Sequence, residues 1–188
     1  MTALPDWMTS HPDGLTAADY DALPEEICRR IEIVDGGVVV NVAPCRAHQH
    51  LVRHFATALG TVLNERLAVT FNVDLRLVGV PLLNRRPDVV VYDASLADDE
   101  VLRPRHCVLV VEVMSPGSVT TDRFDKPAEY AAAGIEHFWR IEMSDHGPTV
   151  FRYRLDPTTR TYSSAGVDDG TMAVTEPVAM TVVLADLR

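Results

Sequence analysis

Apolar positions change their period several times along the chain, and each change marks an element. From His48 to Leu67 the residues Leu51, Val52, Phe55, Ala58, Leu59, Val62 and Leu63 recur at helical spacing, which predicts the longest helix. Upstream, residues 14 to 30 (GLTAADYDALPEEICRR) read as a short helix capped by Thr16, then a second helical turn. The run IEIVDGGVVV sets two β-branched segments around Asp35-Gly36-Gly37, a strong hairpin signal. Downstream, FNVDLRLVG alternates from Phe71 to Val78 and puts Phe71, Val73, Leu75 and Leu77 on one strand face. RRPDVVVYD and HCVLVVEVM are almost uniformly apolar, as strands covered on both faces are.

After Pro116 the pattern turns polar and then helical through Ala133, with Gly134 placed as a C′ residue. IEHFWRIEM returns as a strand, VFRYRL-DPTT-RTYSS reads as a hairpin, GVDDG as a turn, and TVVLADL closes the chain. The order helix-βββ-helix-β predicts a mixed β-sheet core flanked by helices, an α/β (α+β) fold with N-terminal and C-terminal β-hairpins. No repeat or linker divides it. One domain is expected over 1–188, with an N-terminal helix and hairpin (1–46), a core (47–142) and a C-terminal hairpin and tail (143–188).

A hydrophobic content of 47% with 23% charged residues is ordinary for a globular domain. No apolar run reaches the ~18 residues a membrane helix needs, so no membrane partner is expected. The start, MTALPDWMTSHPDG, lacks the basic and apolar regions of a secretory signal. Cys28, Cys45 and Cys107 form no CxxC pair, which fits a reducing, cytoplasmic setting. A net charge of −10 argues against coating nucleic acid through a broad basic face. It leaves open a local metal site, which needs clustered carboxylates.

Candidate chemistry concentrates in two of the strands and the helix after them. Asp88 follows Pro87 at the start of VVVY, and Glu112 interrupts the apolar run VLVVEV. A carboxylate inside such a strand must face a metal, a cation or a solvent-filled cleft. One reading pairs Glu112 with an arginine on a neighbouring strand; the other joins it to Asp88 as hard-oxygen ligands of a divalent cation. Lys126 is the single lysine among 17 basic Lys+Arg residues. An ammonium is compact and can shift its pKa, which a guanidinium cannot. Asp122 and Lys126 stand four apart on one helix face, and Pro127 predicts a kink or late helix start. Thr120 or Thr121 is the expected cap.

The segments RPDVVVYD, LVVEVMSPGS and TTDRFDKPAEYAAAGIEHFWRIE, in this order, resemble the Uma-two family of putative restriction endonucleases, within the PD-(D/E)XK nuclease-like superfamily. RRIEIVDGGVVVNVAP, AHQHLVRHFATAL and TVVLADL extend the resemblance over most of the chain. It implies a metal-dependent endonuclease acting on DNA, with Asp88 and Glu112 as the motif's two acids. It also implies Mg²⁺ or Mn²⁺ held by Asp88, Glu112 and the Val113 carbonyl. The motif's usual lysine, two residues after the second acid, is Met114 here, and the family pattern passes that role to Lys126. His48 and Gln49 match a recurrent position in the family. Arg85 and Arg86 are candidates for a neighbouring phosphate or for a polar turn. Glu32 is a possible third carboxylate or a partner of Arg29 or Arg30, and Asp122 either orients Lys126 or complements the helix N-terminus. His50 and His54 stand four apart, but Leu51 occupies the glutamate position of HExxH, against a zinc protease. Two other readings stay open: a non-catalytic nuclease-fold protein that binds nucleic acid or assembles with partners, and a metal-free sugar hydrolase. A homodimer is plausible because cutting both strands is easiest with two sites.

Overall fold

The structure is a computed structural model that describes residues 14–41, 43–115 and 117–187; the N-terminal stretch read for a signal and Pro116 lie outside the described residues. Thr16 caps α1 (Ala17–Asp21) in a reciprocal box, its hydroxyl accepting from the Asp19 N–H while Asp19 accepts from the Thr16 N–H. α2 (Glu25–Cys28) follows, then the predicted hairpin of β1 (Ile31–Val34) and β2 (Gly37–Val40). Asp35 and Gly36 both have positive φ, 51° and 78°, as a two-residue hairpin turn of this hand needs. Gly36 is held for a second reason. Leu15 N–H bonds its carbonyl at 2.8 Å, and a Cβ at Gly36 would lie 2.9 Å from Gly14 Cα.

The long helix α3 (Arg46–Gly60) is shorter than the periodicity predicts. It stops at Gly60, and Leu67 opens β3 (Leu67–Phe71) instead. Leu63 and Leu67 still pack against the same core from a loop and a strand, so their spacing imitates a helix. The run from Phe71 to Val78 is not one strand either. Asn72, at φ 53°, breaks it, and β4 (Leu75–Val78) joins a different sheet from β3. Phe71 is accordingly 49% exposed while Leu75 is fully buried. The sequence pattern also missed β5 (Leu83–Arg85), which lies between β1 and β4.

β6 (Val89–Asp93) and β7 (Cys107–Val113) are the two apolar strands. After them, Thr121–Asp125 forms a π-helical turn that runs into α4 (Lys126–Ala133). Thr120 is itself helical and makes no cap bond, contrary to expectation. The first turn is held instead by Ser118, whose hydroxyl donates to the Asp122 carboxylate and whose carbonyl accepts the Asp122 N–H at 2.8 Å. The disturbance expected at Pro127 is the change from wide to normal turn, placed where proline has no N–H to give. Gly134, at φ 87°, ends α4, and Ile135 N–H reaches back to the Tyr130 carbonyl at 3.1 Å.

β8 (His137–Ser144), β9 (Gly147–Asp156) and β10 (Thr161–Asp169) complete the central sheet. GVDDG is mostly strand, not turn: Gly166 to Asp169 belong to β10 after a bulge, and Gly170 turns the chain. A small pair, β11 (Thr171–Val174) and β12 (Met180–Val183), and a 3₁₀ turn (Leu184–Leu187) follow.

The six-stranded sheet has the order β10-β9-β8-β7-β6-β3, and a second sheet has the order β2-β1-β5-β4. In the larger one β7 and β8 are parallel and the other neighbours antiparallel, so it is mixed, as expected. A parallel pair needs a crossover, and α4 supplies it. Alternate residues of β6 and β7 serve two cores. Val89, Val91, Leu109, Val111 and Val113 join Leu51, Phe55, Leu59 and Trp139, with Phe55 edge-on to Trp139 at 6.1 Å between ring centres. Val90 and Val110 join Leu75, Tyr130, Ile135 and Phe138 on the other face. Among the described residues no helix is long and apolar enough to cross a membrane.

Gly36→Ala forces an L side chain into left-handed backbone against Gly14, and should lower unfolding stability by roughly 1–3 kcal/mol. Gly79→Ala, where an added Cβ meets nothing within 4 Å, should stay within about 0.5 kcal/mol. Urea titration of both variants measures the contrast; equal effects would contradict the packing of the hairpin turn.

Candidate active site

Glu112 shares its face of β7 with Val110 and therefore points at α4, which crosses over that face. It is 1% exposed. Lys126 Nζ donates to its Oε2 at 2.9 Å, and the Tyr130 hydroxyl donates to its Oε1 at 2.6 Å. Lys126 and Tyr130 stand four apart, so one helix face delivers both donors. The partner of Glu112 is thus this lysine with a tyrosine, not an arginine. Lys126 also lies 3.2 Å from Asp122 Oδ1 and 4.0 Å from Glu32 Oε1.

The register that pairs Val89 with Val111 and Val90 with Val110, continued one residue, sets Asp88 opposite Glu112. Asp88 Oδ2 accepts the Val113 N–H at 2.7 Å. His48, projecting from α3, places Nε2 at 2.9 Å from the Val113 carbonyl and 3.3 Å from Asp88 Oδ2. Burial pulls the His48 pKa down, but the hydrogen bond and charge of Asp88 outweigh it, so the net shift is upward. Gln49 is exposed on the same helix. Met114 is half-buried at the end of the strand and bonds the Ile141 carbonyl through its N–H at 2.8 Å.

Glu32 does not pair with Arg29 or Arg30 in the way the local sequence suggests: Arg29 is taken by Glu25 at 2.6 Å. Glu32 accepts from Arg85 at 3.0 Å and from the Arg86 N–H at 2.9 Å. Arg85, 3% exposed, gives two further N–H groups to Glu129 at 2.6 Å each. Arg86 bonds Asp74 at 2.6 Å. These arginines tie the N-terminal sheet to the site and to α4, and the buried, doubly paired Arg85 does not fit a phosphate contact.

Burial drives the Glu112 carboxyl upward, Lys126 pulls it back, and Asp88 and Asp122 push it up again. Burial alone would lower Lys126, but Glu112, Glu32, Asp122 and Asp88 together hold it above the usual lysine range. The ammonium therefore keeps its proton. What distinguishes it from a guanidinium here is its compactness, which lets it sit among carboxylates, and not a losable proton.

Glu112, Asp122, Glu32 and Asp88 set four carboxylates around the single ammonium of Lys126, an excess of negative charge in a largely buried place. Among the described residues, no three His, Cys, Asp or Glu side chains form a metal cage. Asp88, Glu112 and the Val113 carbonyl bring hard oxygen donors close together, with both Glu112 oxygens taken by Lys126 and Tyr130 and the Val113 carbonyl facing His48. The side chain of Asp88 is 13% exposed and opens the cluster to solvent.

The sequence model of a family named Uma2, described as "Putative restriction endonuclease", matches residues 17–185. The chain belongs to the Uma2 family. It is also similar in structure to a crystal structure titled a putative nuclease belonging to DUF820, from Anabaena variabilis, at 17% identity. That similarity covers 92% of this chain and 97% of the other, with a TM-score of 0.69, and establishes the shared fold. No curated protein matches the chain. In this Uma2 chain Asp88, Glu112, Lys126, Asp122, Glu32 and His48 converge on one place. Tyr130 and Glu129 complete it; Tyr130 stands in the segment that carries the family resemblance, and both are spaced to share the side of the helix near Lys126.

Lys126→Met leaves Glu112 buried without its cation, and should cost roughly 3–5 kcal/mol at neutral pH. Its carboxyl pKa, already raised, rises further, so the folded state binds a proton that the unfolded state has lost. Stability of the variant should therefore fall as pH rises through that window and recover in acid. Denaturation at pH 5 and pH 8 checks the sign; a variant more stable at the higher pH would contradict the burial of Glu112.

Proposed function

We propose that this chain is a metal-dependent endonuclease that hydrolyses DNA phosphodiester bonds. The observation that carries the reading is Glu112, buried opposite Asp88 with the Lys126 ammonium 2.9 Å from its carboxylate. Family membership and the nuclease-like fold support it at the level of reaction class. Asp88, Glu112 and the Val113 carbonyl would hold Mg²⁺ or Mn²⁺, which supplies Lewis-acid polarisation of the phosphate and a more acidic water.

The protein's own groups do the remaining work. Lys126, charged at every working pH, supplies a fixed positive charge for the extra negative charge that builds on the phosphate oxygens. Asp122 and Glu112 aim it, and Tyr130 anchors the far oxygen of Glu112 so that its carboxylate cannot rotate away. His48 braces the Val113 carbonyl and the Asp88 carboxylate together.

A second reading, a non-catalytic nuclease-fold protein that binds nucleic acid, has one observation in its favour: Lys126 and Tyr130 already satisfy both oxygens of Glu112. The two readings part on metal. The purified protein should nick supercoiled plasmid with Mn²⁺ or Mg²⁺ and stop on EDTA. Asp88→Asn and Glu112→Gln should each slow nicking by about 100-fold or more. Absence of Mn²⁺ binding in calorimetry would sink the metal-dependent reading. Lys126→Arg keeps the charge but not the size, and should lose most of the nicking activity; full activity would show that compactness is irrelevant.

A further inference from the structure

Beside the candidate active site, across α4, lies a cavity of about 290 Å³ lined by Arg123, Arg140, Arg160, Phe138, Tyr153 and Tyr162. Pro127, Ala128 and Ala131 form its α4 wall, whereas Lys126 and Tyr130 of the same helix turn to Glu112. In the β7–β8 register Arg140 is the direct neighbour of Glu112, roughly 4.8 Å away between backbones. The cavity and the site thus share one helix and one pair of strands.

Its chemistry is of two kinds. Phe138 stacks with Tyr153 and with Tyr162, at 5.7 and 5.6 Å between ring centres, and both tyrosines are half-exposed. Around this aromatic floor stand three arginines of a chain whose net charge is −10. Among the described residues Glu142 is the one carboxylate paired with them, bonding Arg123 at 2.6 Å and Arg140 Nε at 2.9 Å, and Arg160 bonds the Ala132 carbonyl. Three guanidiniums against one carboxylate leave the cavity positive. Arg140 is 8% exposed and lies 4.8 Å from the Phe151 ring centre and 5.6 Å from that of Tyr153. Its terminal nitrogens take no hydrogen-bond acceptor among the described residues. These terminal nitrogens are not buried without a partner but open to the solvent of the cavity, so their donors stand free for an anion there.

We propose that this cavity holds one nucleotide of the substrate strand, its base stacked on the Tyr153 and Tyr162 surface and its phosphate on Arg140 and Arg123. The inference rests on the nuclease reading for the identity of the strand, and extends it to a second, non-catalytic contact. A cavity of this size is at the lower end of ligand sites, which run from about 300 to 1,000 Å³. It suits a base with its phosphate and excludes a folded duplex segment, so the bound nucleotide is unpaired. Aromatic stacking tolerates any base, so the contact adds affinity and register without demanding a sequence.

The test is binding of a short fluorescein-labelled single strand, followed by anisotropy in EDTA so that no cleavage is needed. A matched strand carrying abasic residues should bind the wild-type protein more weakly by about five-fold or more, the scale of one stacked base. Tyr153→Leu should erase that difference. Arg123→Ala, an exposed side chain whose loss leaves the core intact, should weaken both strands alike and keep the protein folded if Tyr153→Leu does not. Equal binding of intact and abasic strands by the wild type, or no binding at all, would overturn the proposal. Displacement by equimolar deoxynucleoside monophosphate would overturn it too, by assigning the cavity to free nucleotides. A parallel nicking assay with Mn²⁺ separates the two readings: cleavage without base-dependent binding sinks the pocket alone, and base-dependent binding without cleavage sinks the nuclease alone.

Discussion

Burying the carboxylate of Glu112 inside β7 is the constraint on which this molecule is arranged. An ionised group at that depth costs several kcal/mol unless partners repay it. The partners must come from outside the strand, because β6 and β8 occupy its two edges. They come from the crossover. β7 and β8 run parallel, the chain must cross one face of the sheet to join them, and that crossing carries Asp122, Lys126 and Tyr130 over Glu112. The topology that makes the parallel pair also assembles the site.

Charge is distributed by the same logic in two shells. Arg85 and Arg86, planar and forked, bind Glu129, Glu32 and Asp74 and thereby fix the position of the N-terminal sheet relative to α4. Lys126 sits in the middle, where there is room for a compact ammonium among carboxylates. The arginines serve architecture and the lysine serves the site, which accounts for one lysine in a chain that otherwise uses arginine. On the far side of α4 the arrangement inverts, with three arginines around an aromatic cavity and a single acid between them. One short helix separates a negative cluster from a positive one.

Much of this was legible in the residues. The uniformly apolar runs around Asp88 and Glu112 announced strands covered on both faces, and Asp35-Gly36 announced the hairpin. Gly134 announced the helix end, and the clash of Pro127 with a regular helix announced the disturbance before α4. Other features were illegible because their signal is shared with something else. Leu63 and Leu67 continue a helical spacing that the chain abandons at Gly60, since core burial rewards a side chain whatever element carries it. Phe71 to Val78 alternates as one strand would, yet the left-handed Asn72 sends its halves to different sheets.

The sequence by itself determined which groups are available: two acids at neighbouring strand ends, one lysine, and a helix that brings residues four apart to one face. These are local matters of period, propensity and composition, and they also placed the chain in its family. Only the tertiary structure decided who meets whom. Glu32 looked like the partner of Arg29 or Arg30 and belongs to Arg85 and Arg86, more than fifty residues away. The lysine looked useful for a proton it can lose, and is held charged by four surrounding carboxylates. Pairing across such distances depends on strand register and on the path of the crossover, and the energy of a buried charge depends on every group around it. Neither is a property of any short stretch of chain.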